Sequence, residues 1–511
     1  MIASLSAVQE WDICIIGGGA TGLGAAVDAA SRGYKTILFE KYDYAKGTSS
    51  RSTKLVHGGV RYLEQLNIKL VLESLNERGL MLKNAPHLVK NQSFVIPNYE
   101  WWEHPYYGIG MKAYDWMAGS LGLGPSEFLS LEETLEAAPT LHVEGLRGGI
   151  RYHDGQFDDS RMAIHLAMTA ADLGATLLNY FPVERFIKSG DRIIGVRVKD
   201  EIAGTAYEVR AKSVINATGV FSDELRRLDN PVAEDQVSPS QGIHIVLDSH
   251  FLPTDTAILI PRTEDGRVLF AVPWHHKLVV GTTDTPMEQV SVEPKALDDE
   301  IEFVLHHIQH YLSEKPTRED IRSVFCGLRP LVKGNTKTTS GLSRDHHITV
   351  SDSELISITG GKWTTYRRMA EDVVDVALQK MQIPFVKSET GSLHIHGYEE
   401  QTDFEAPLYY YGSDKVYIEN ITEEDPEWNE RIHPDHEYIR AQIIWSIREE
   451  MSLTVEDVLA RRTRMLFLDA KAAVESAPIV ARIMAKEMDQ DEKWIRAQVD
   501  AFTIVAMQYL P

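Results

Sequence analysis

An apolar run from Trp11 to Ile16 ends at three glycines, and alanine-rich sequence continues to about Arg32. The run predicts a buried strand and the alanine-rich stretch a helix. A second apolar run, Thr36 to Phe39, stops at the acid Glu40. Strand, glycine turn, helix and strand form a βαβ unit, which predicts a parallel sheet. Arg192 to Val198 alternates like a half-exposed strand, and Ala211 to Ala217 predicts a strand ending at Ala217-Thr218-Gly219. Strand-like runs at Ile243–Leu247, Val268–Pro273 and Leu278–Gly281 predict a mostly antiparallel sheet in the middle of the chain. Asp299 to Leu312 places Ile301, Val304, Leu305, Ile308 and Leu312 on one helical face. Beyond Gly391 the pattern turns helical, best at Ile439–Arg448, Val455–Leu468 and Ala472–Glu487, which predicts a separate helical domain after a loose linker. The fold class is α/β: a Rossmann-like domain, an antiparallel-sheet domain and a C-terminal helical domain.

Gly17, Gly19 and Gly22 fit the G-x-G-x-x-G pattern between the first strand and its helix. The first glycine permits a tight turn, the second lets a pyrophosphate approach the backbone, and the third allows close packing of helix on strand. The helix N-terminus adds free N–H groups and a positive dipole end. Glu40 stands about 20 residues on, the spacing of an acid that binds a ribose hydroxyl. The pattern does not separate FAD from NAD. Asn216-Ala217-Thr218-Gly219, a second turn at a strand end, suits an extended dinucleotide lying across the sheet.

The chain has 511 residues and a formal net charge of -23. That length predicts roughly two to four domains. So negative a charge argues against binding a phosphate backbone, so nucleic acid is not an expected partner. Two cysteines, Cys14 and Cys326, exclude a disulfide framework and a cysteine-based zinc site, and fit a reducing compartment. No metal is expected. Residues 1–10 show no signal peptide, and no run of ~18 apolar residues could span a bilayer.

Within this acidic chain, Ser49 to Glu64 gathers Arg51, Lys54 and Arg61 against a single acid. Such a cluster reads either as a solvated basic loop or as a site for a small anion, which a concave basic site attracts against the global charge. Pro97 to Gly124 holds Tyr99, Trp101, Trp102, Tyr106, Tyr107, Tyr114 and Trp116, with Met111 and Met117. That cluster suits either a membrane interface or a lid on the substrate sheet.

Several motifs occur in one order: Gly17 to Gly22 with Glu40, the Ser49–Glu64 segment, Ala217-Thr218-Gly219, Gly281-Thr282-Thr283-Asp284, Cys326-Gly327-Leu328-Arg329-Pro330-Leu331, Ser343-Arg344-Asp345 and Gly360-Gly361-Lys362-Trp363-Thr364-Thr365-Tyr366-Arg367. Together they resemble the FAD-dependent glycerol-3-phosphate dehydrogenases over about Asp12 to Ala370. The resemblance continues more weakly through Asp457 to Arg464. It implies oxidation of sn-glycerol 3-phosphate to dihydroxyacetone phosphate, with FAD taking the hydride and a membrane quinone re-oxidising it. The expected division of the chain is an FAD-binding domain at 10–85, 150–225 and 325–385, a substrate domain at 86–149 and 226–324, and a helical domain at 391–511.

By the same resemblance, Arg61, Tyr62, His244, Arg329, Arg344 and Lys362 line the substrate pocket. FAD contacts are implied for Gly17, Gly19, Ala20, Thr21, Gly22, Glu40, Thr48, Ser49, Ser52, Lys54, Leu55, His57, Gly58, Gly59, Ala217, Thr218, Gly219, Gly361, Lys362 and Thr364. Guanidinium forks suit a phosphate, with Lys362 as a point charge. His244 is the candidate general base, Arg329 polarises the developing alkoxide, and Lys362 sits with a helix N-terminus toward the flavin's pyrimidine edge. Ile243 departs from the small polar residue of relatives and weakens the substrate contact expected of His244. A cytoplasmic protein held peripherally on the inner face of the membrane, and a homodimer, are further expectations. The alternatives are a soluble oxidase using oxygen, a related amine oxidase, and a flavin-binding protein without turnover.

Overall fold

Trp11–Ile16 lies at the centre of a sheet, paired in parallel with Thr36–Phe39 on one side and Ala206–Asn216 on the other. A computed structural model describes every residue except 60–66, 101–102, 262, 264–265 and 334–344. The sheet runs His346–Val350, Leu355–Gly360, Ala206–Asn216, Trp11–Ile16, Thr36–Phe39 and Thr176–Leu178. Only His346–Val350 is antiparallel along that path. Helix Ala20–Ser31 packs on the sheet between Asp159–Asp172 and Tyr366–Met381. Gly24 makes the second contact close: a Cβ there would stand 2.9 Å from the Tyr366 ring.

The second sheet is centred on Val237–Asp248, which pairs antiparallel with Lys277–Gly281 on one edge and Ser323–Val332 on the other. It continues through Leu269–Trp274, Ala257–Ile260, Val89–Asn98 and Gly148–Phe157 to Leu55–Val56. Only Ala257–Ile260 with Val89–Asn98 is parallel. The amphipathic helix runs Asp298–Tyr311 and buries Ile301, Val304, Leu305 and Ile308 against Ile243, Ile245 and Val280. Helices Ile68–Asn84 and Glu103–Ala118 join a second apolar cluster with Phe94, Ile96, Ile150 and Tyr152.

Expectations about strand membership and about the linker are corrected. Gly148–Phe157 and Ser323–Val332, largely assigned to the FAD-binding segments, are strands of the second sheet. Their ladders run unbroken against Val89–Asn98 and Val237–Asp248, so hydrogen bonding rather than chain order decides their membership. The segment after Gly391 is no loose linker: Ile395, Tyr410 and Tyr411 are buried, and the Ile395 N–H donates to the Asn84 carbonyl. The C-terminal helices also share one apolar core with the parallel-sheet domain.

Val455–Leu468 is likewise not one helix. A wide π-type turn over Asp457–Arg462 and a short helix Met465–Leu468 flank Arg464, whose φ is 61°. The wide turn sends Arg461 and Arg462 to Asp43, and the left-handed residue sends Arg464 to Asp159. Among the described residues no helix is long and apolar enough to cross a membrane.

Candidate active site

The first glycine turn is built by exclusion. Gly17 has φ +110°, and a Cβ on it would lie 2.7 Å from the Ala217 carbonyl oxygen. A Cβ on Gly22 would lie 1.9 Å from the Gly17 carbonyl oxygen, so the third glycine lets the helix start against the strand. The Ala20 N–H at that helix start donates to Ser49 Oγ at 2.9 Å. Glu40 accepts from the Gly18 N–H at 2.6 Å and the Tyr42 N–H at 2.8 Å. Burial pushes its carboxyl up, and these two N–H donors oppose that rise.

This turn opens on a cleft of about 1140 Å³ that runs between the two sheets. Its lining includes Glu40, Lys41 and Tyr42 beside the glycine turn, and also His244, Arg329 and Lys362. The cleft exceeds the ~300–1,000 Å³ of most small-molecule sites, as an extended dinucleotide plus a substrate requires. The donor set also fits FAD: a helix N-terminus for pyrophosphate, an anchored carboxylate for ribose, and glycines where a side chain would intrude.

His244 and Arg329 stand on strands of the second sheet. His244, on Val237–Asp248, is 2% exposed, and its ring stacks on Phe325 at 4.8 Å and 15°. Its Nε2 shares a hydrogen bond of 2.9 Å with Thr53 Oγ1, while Nδ1 is buried with no hydrogen-bond partner among the described residues. Burial pushes the imidazole well below its ordinary 6.5, and the charges of Lys54 and Arg329 push the same way. Arg329 donates to Thr282 Oγ1 at 3.0 Å and, at 3.4 Å each, to the Gln241 carbonyl and Asp284. Lys362 donates to Ser74 Oγ at 3.2 Å, immediately before the helical turn leading into Tyr366–Met381.

Most residues expected at the site do line this cleft: Gly17, Gly19, Ala20, Thr21, Glu40, Thr48, Ser49, Ser52, Leu55, His57, Gly59, Ala217, Thr218, Gly219, His244, Arg329, Gly361, Lys362 and Thr364. Gly22 does not, since its place is in the helix–strand contact. Gly58 does not either; its N–H donates inward to the Tyr114 hydroxyl at 2.9 Å. Lys54 is the clearest correction. Its side chain is fully buried, and its ammonium donates to Asp159 at 2.8 Å and to the carbonyls of Ser50 and Ser52. With three acceptors satisfied, it has no proton left for a cofactor.

Arg51 lines the cleft but pairs with Glu293 at 2.7 Å. Two of the three cations of the Ser49–Glu64 cluster are thus neutralised internally. Arg61, Tyr62 and Arg344 lie outside the described residues. Thr53 is the contact the sequence reading missed; its only signal was its place between Ser52 and Lys54. In the aromatic segment, helix Glu103–Ala118 turns Tyr107 and Met111 to the cleft and buries Tyr114, while Trp116 is 84% exposed.

Comparison with known proteins adds family evidence. The family model described as FAD dependent oxidoreductase matches residues 12–367, and that of the C-terminal domain of alpha-glycerophosphate oxidase matches residues 352–495. The mitochondrial glycerol-3-phosphate dehydrogenase of Schizosaccharomyces pombe is 38% identical over 561 residues, covering 96% of this chain and 86% of that protein. The human mitochondrial enzyme is 39% identical over 530 residues, covering 96% of this chain and 72% of its own. Among solved structures, the glycerol-3-phosphate dehydrogenase of Bacillus halodurans complexed with FAD superposes with a TM-score of 0.80 at 29% identity, over 98% of this chain and 96% of that one.

Proposed function

The chain belongs to the FAD-dependent glycerol-3-phosphate dehydrogenases, and from that premise we propose how its cleft oxidises sn-glycerol 3-phosphate to dihydroxyacetone phosphate. FAD, when bound, accepts the hydride from the secondary carbon. The rest falls to the protein's side chains. The N–H groups at the start of Ala20–Ser31 hold the pyrophosphate, and Glu40, anchored by Gly18 and Tyr42, takes a ribose hydroxyl on its remaining lone pairs.

His244 takes the hydroxyl proton at Nε2, the nitrogen that Thr53 now engages. Burial and the charges of Lys54 and Arg329 favour the neutral imidazole, the form that can accept a proton. Arg329, braced by Thr282 and Asp284, holds the oxygen as it becomes an alkoxide. Lys362, with Arg61 and Arg344 by motif, completes the hold on the phosphate. A dianionic substrate beside Arg329 offsets one of the two positive charges that oppose protonation of His244.

The observation that carries this reading is the shared cleft. The glycine turn with Glu40 and the His244–Arg329 pair open on one continuous space. The electron acceptor is a membrane quinone, reached with the protein lying peripherally on the cytoplasmic face of the membrane. Support for that placement comes from helix Glu103–Ala118, which turns Tyr107 inward to the cleft and leaves Trp116 outside. The test is anaerobic. sn-Glycerol 3-phosphate should bleach the flavin spectrum while glycerol, lactate and sarcosine do not, and a soluble quinone should restore it faster than air. A flavin that ignores glycerol 3-phosphate refutes the substrate, and faster recovery in air refutes the acceptor.

A further inference from the structure

The ammonium of Lys54 lies behind the proposed base rather than in the cleft. It is fully buried, with its Nζ 4.8 Å from the Phe325 ring centroid, and Phe325 is the ring on which His244 stacks, also at 4.8 Å. The charge therefore lies no more than about 10 Å from the imidazole, in a medium where a unit charge is weakly screened. Lys54 also follows Thr53 directly in the chain, and Thr53 Oγ1 is the partner of His244 Nε2. Its backbone has φ 65°, an unusual conformation for a residue with a side chain, and its N–H donates to Ser52 Oγ. The surrounding groups fix this arrangement. Asp159 Oδ2 accepts from Lys54 Nζ and from the Ser52 N–H and hydroxyl, while Asp159 Oδ1 accepts from Arg464 of the C-terminal domain at 3.0 Å.

We infer that Lys54 is a positioning residue for proton transfer: its buried ammonium, clamped by Asp159 against the Phe325 ring, keeps His244 uncharged in the resting enzyme and holds Thr53 on its Nε2. The kinetic half of this inference rests on His244 being the base; the electrostatic half does not.

Among the described residues, the charges that bear on His244 are those of Lys54 and Arg329. Lys54 acts from the 51–59 segment with Asp159 behind it, and Arg329 acts from Ser323–Val332 with Asp284 beside it. The third neighbouring strand, Lys277–Gly281, brings Gly281 against the ring, which carries no charge. Burial lowers the Lys54 ammonium to about 8 in spite of Asp159, so it stays charged across the acid range in which an imidazole titrates. The C-terminal domain takes part through Arg464, whose guanidinium shares Asp159 and leaves that carboxylate less able to screen Lys54.

The test uses the full-length holoenzyme carrying ring-13C-histidine, with the His244 resonance identified by its loss in His244→Asn. Lys54→Met should raise the His244 titration midpoint by about one pH unit. Lys54→Arg, which keeps the charge, should leave it near the wild-type value. Asp159→Asn strips the counter-charge and should move the midpoint down or keep the ring neutral to the lowest pH at which the protein stays folded. In anaerobic stopped-flow, the acid limb of flavin reduction by sn-glycerol 3-phosphate should follow the same order. A His244 midpoint unchanged in Lys54→Met, or raised in Asp159→Asn, overturns the inference. A midpoint that moves while the rate limb stays supports the electrostatic contact and refutes His244 as the base. General damage would slow all variants without separating the two directions.

Discussion

Arg462 grips Asp43 with both prongs of its guanidinium, Nη1 to Oδ2 at 2.6 Å and Nη2 to Oδ1 at 3.0 Å, with neither side chain exposed. Arg461 donates to the same carboxylate and also to Glu456 and Asp457. Asp43 follows the second strand of the parallel sheet by four residues, whereas the arginines belong to the C-terminal domain. The pair is therefore a seam between domains.

Breaking that seam should be costly. Asp43→Ala leaves two buried guanidinium groups short of their counter-charge, and loss of one partner of a buried pair typically costs about 3–5 kcal/mol. The expected result is a loss of that size in urea-unfolding free energy at fixed FAD concentration. A change below about 1 kcal/mol would mean that water or a neighbouring acid replaces the carboxylate. Burial alone would raise the Asp43 pKa, but Arg462 and Arg461 outweigh it and hold the carboxyl down at about 2. The folded value lies below the unfolded one, so this contribution is present above about pH 4 and is lost as pH falls toward 2. In Asp43→Ala that part of the acid sensitivity disappears.

Glu40 offers a test of the cofactor end. Both oxygens already accept backbone N–H groups, so the carboxylate cannot swing away from the cleft. Glu40→Ala removes the acceptor for a ribose hydroxyl and leaves the Gly18 and Tyr42 donors unpaired. A hydrogen bond to a charged group is worth about 1.5–3 kcal/mol, so FAD affinity should weaken by about 10- to 100-fold. Titration of the deflavinated protein by flavin fluorescence reads this directly, and an unchanged affinity would remove Glu40 from the site.

Glu40 shows where the sequence is legible. Gly17, Gly22 and Glu40 could be placed because the turn constrains its own backbone over a few residues, so the pattern carries the geometry. Asp299–Leu312 was likewise legible to within one residue at each end, because one face of the helix is buried. Lys54 was misread because its partner Asp159 lies 105 residues away, and no local pattern distinguishes an ammonium buried on a carboxylate from one facing a phosphate. The break at Arg464 was hidden for the same reason, since three arginines reaching remote acids override an apolar periodicity. The sheet membership of Gly148–Phe157 and Ser323–Val332 is a matter of strand partners, which chain order does not reveal.

A second pH effect has the opposite sign. His396 sits between Asp172 at 2.6 Å and Asp414 at 2.8 Å, tying helix Asp159–Asp172 to the first part of the C-terminal domain. Burial disfavours its charge, but the carboxylates of Asp414 and Asp172 outweigh that and hold the imidazolium up to about 9. A raised folded value gives stability that is complete below the unfolded pKa of about 6.5 and is lost as pH rises through 9. Thermal unfolding of the wild type should therefore decline between pH 7 and 9. His396→Gln should be less stable at pH 6 and nearly flat across the same range. If the variant keeps the wild-type slope, another group is responsible.

Arg329 should separate substrate binding from cofactor binding. Its guanidinium is fixed by Thr282, the Gln241 carbonyl and Asp284, none of which belongs to the glycine turn. Arg329→Met should therefore leave FAD content unchanged. Loss of a charge-assisted fork at the reacting oxygen should lower kcat/KM for sn-glycerol 3-phosphate by about 10²- to 10³-fold. Arg329→Lys should recover little of this, because a single ammonium cannot reproduce two parallel N–H donors. The division between kcat and KM then locates the contact. A loss shared equally by kcat and kcat/KM places the guanidinium on the developing alkoxide, which is bound tightly only in the transition state. A rise in KM with kcat preserved places it on the phosphate, which is bound equally throughout. In that case polarising the alkoxide would pass to another group at the cleft, and His244 would have to act without Arg329 beside the reacting oxygen.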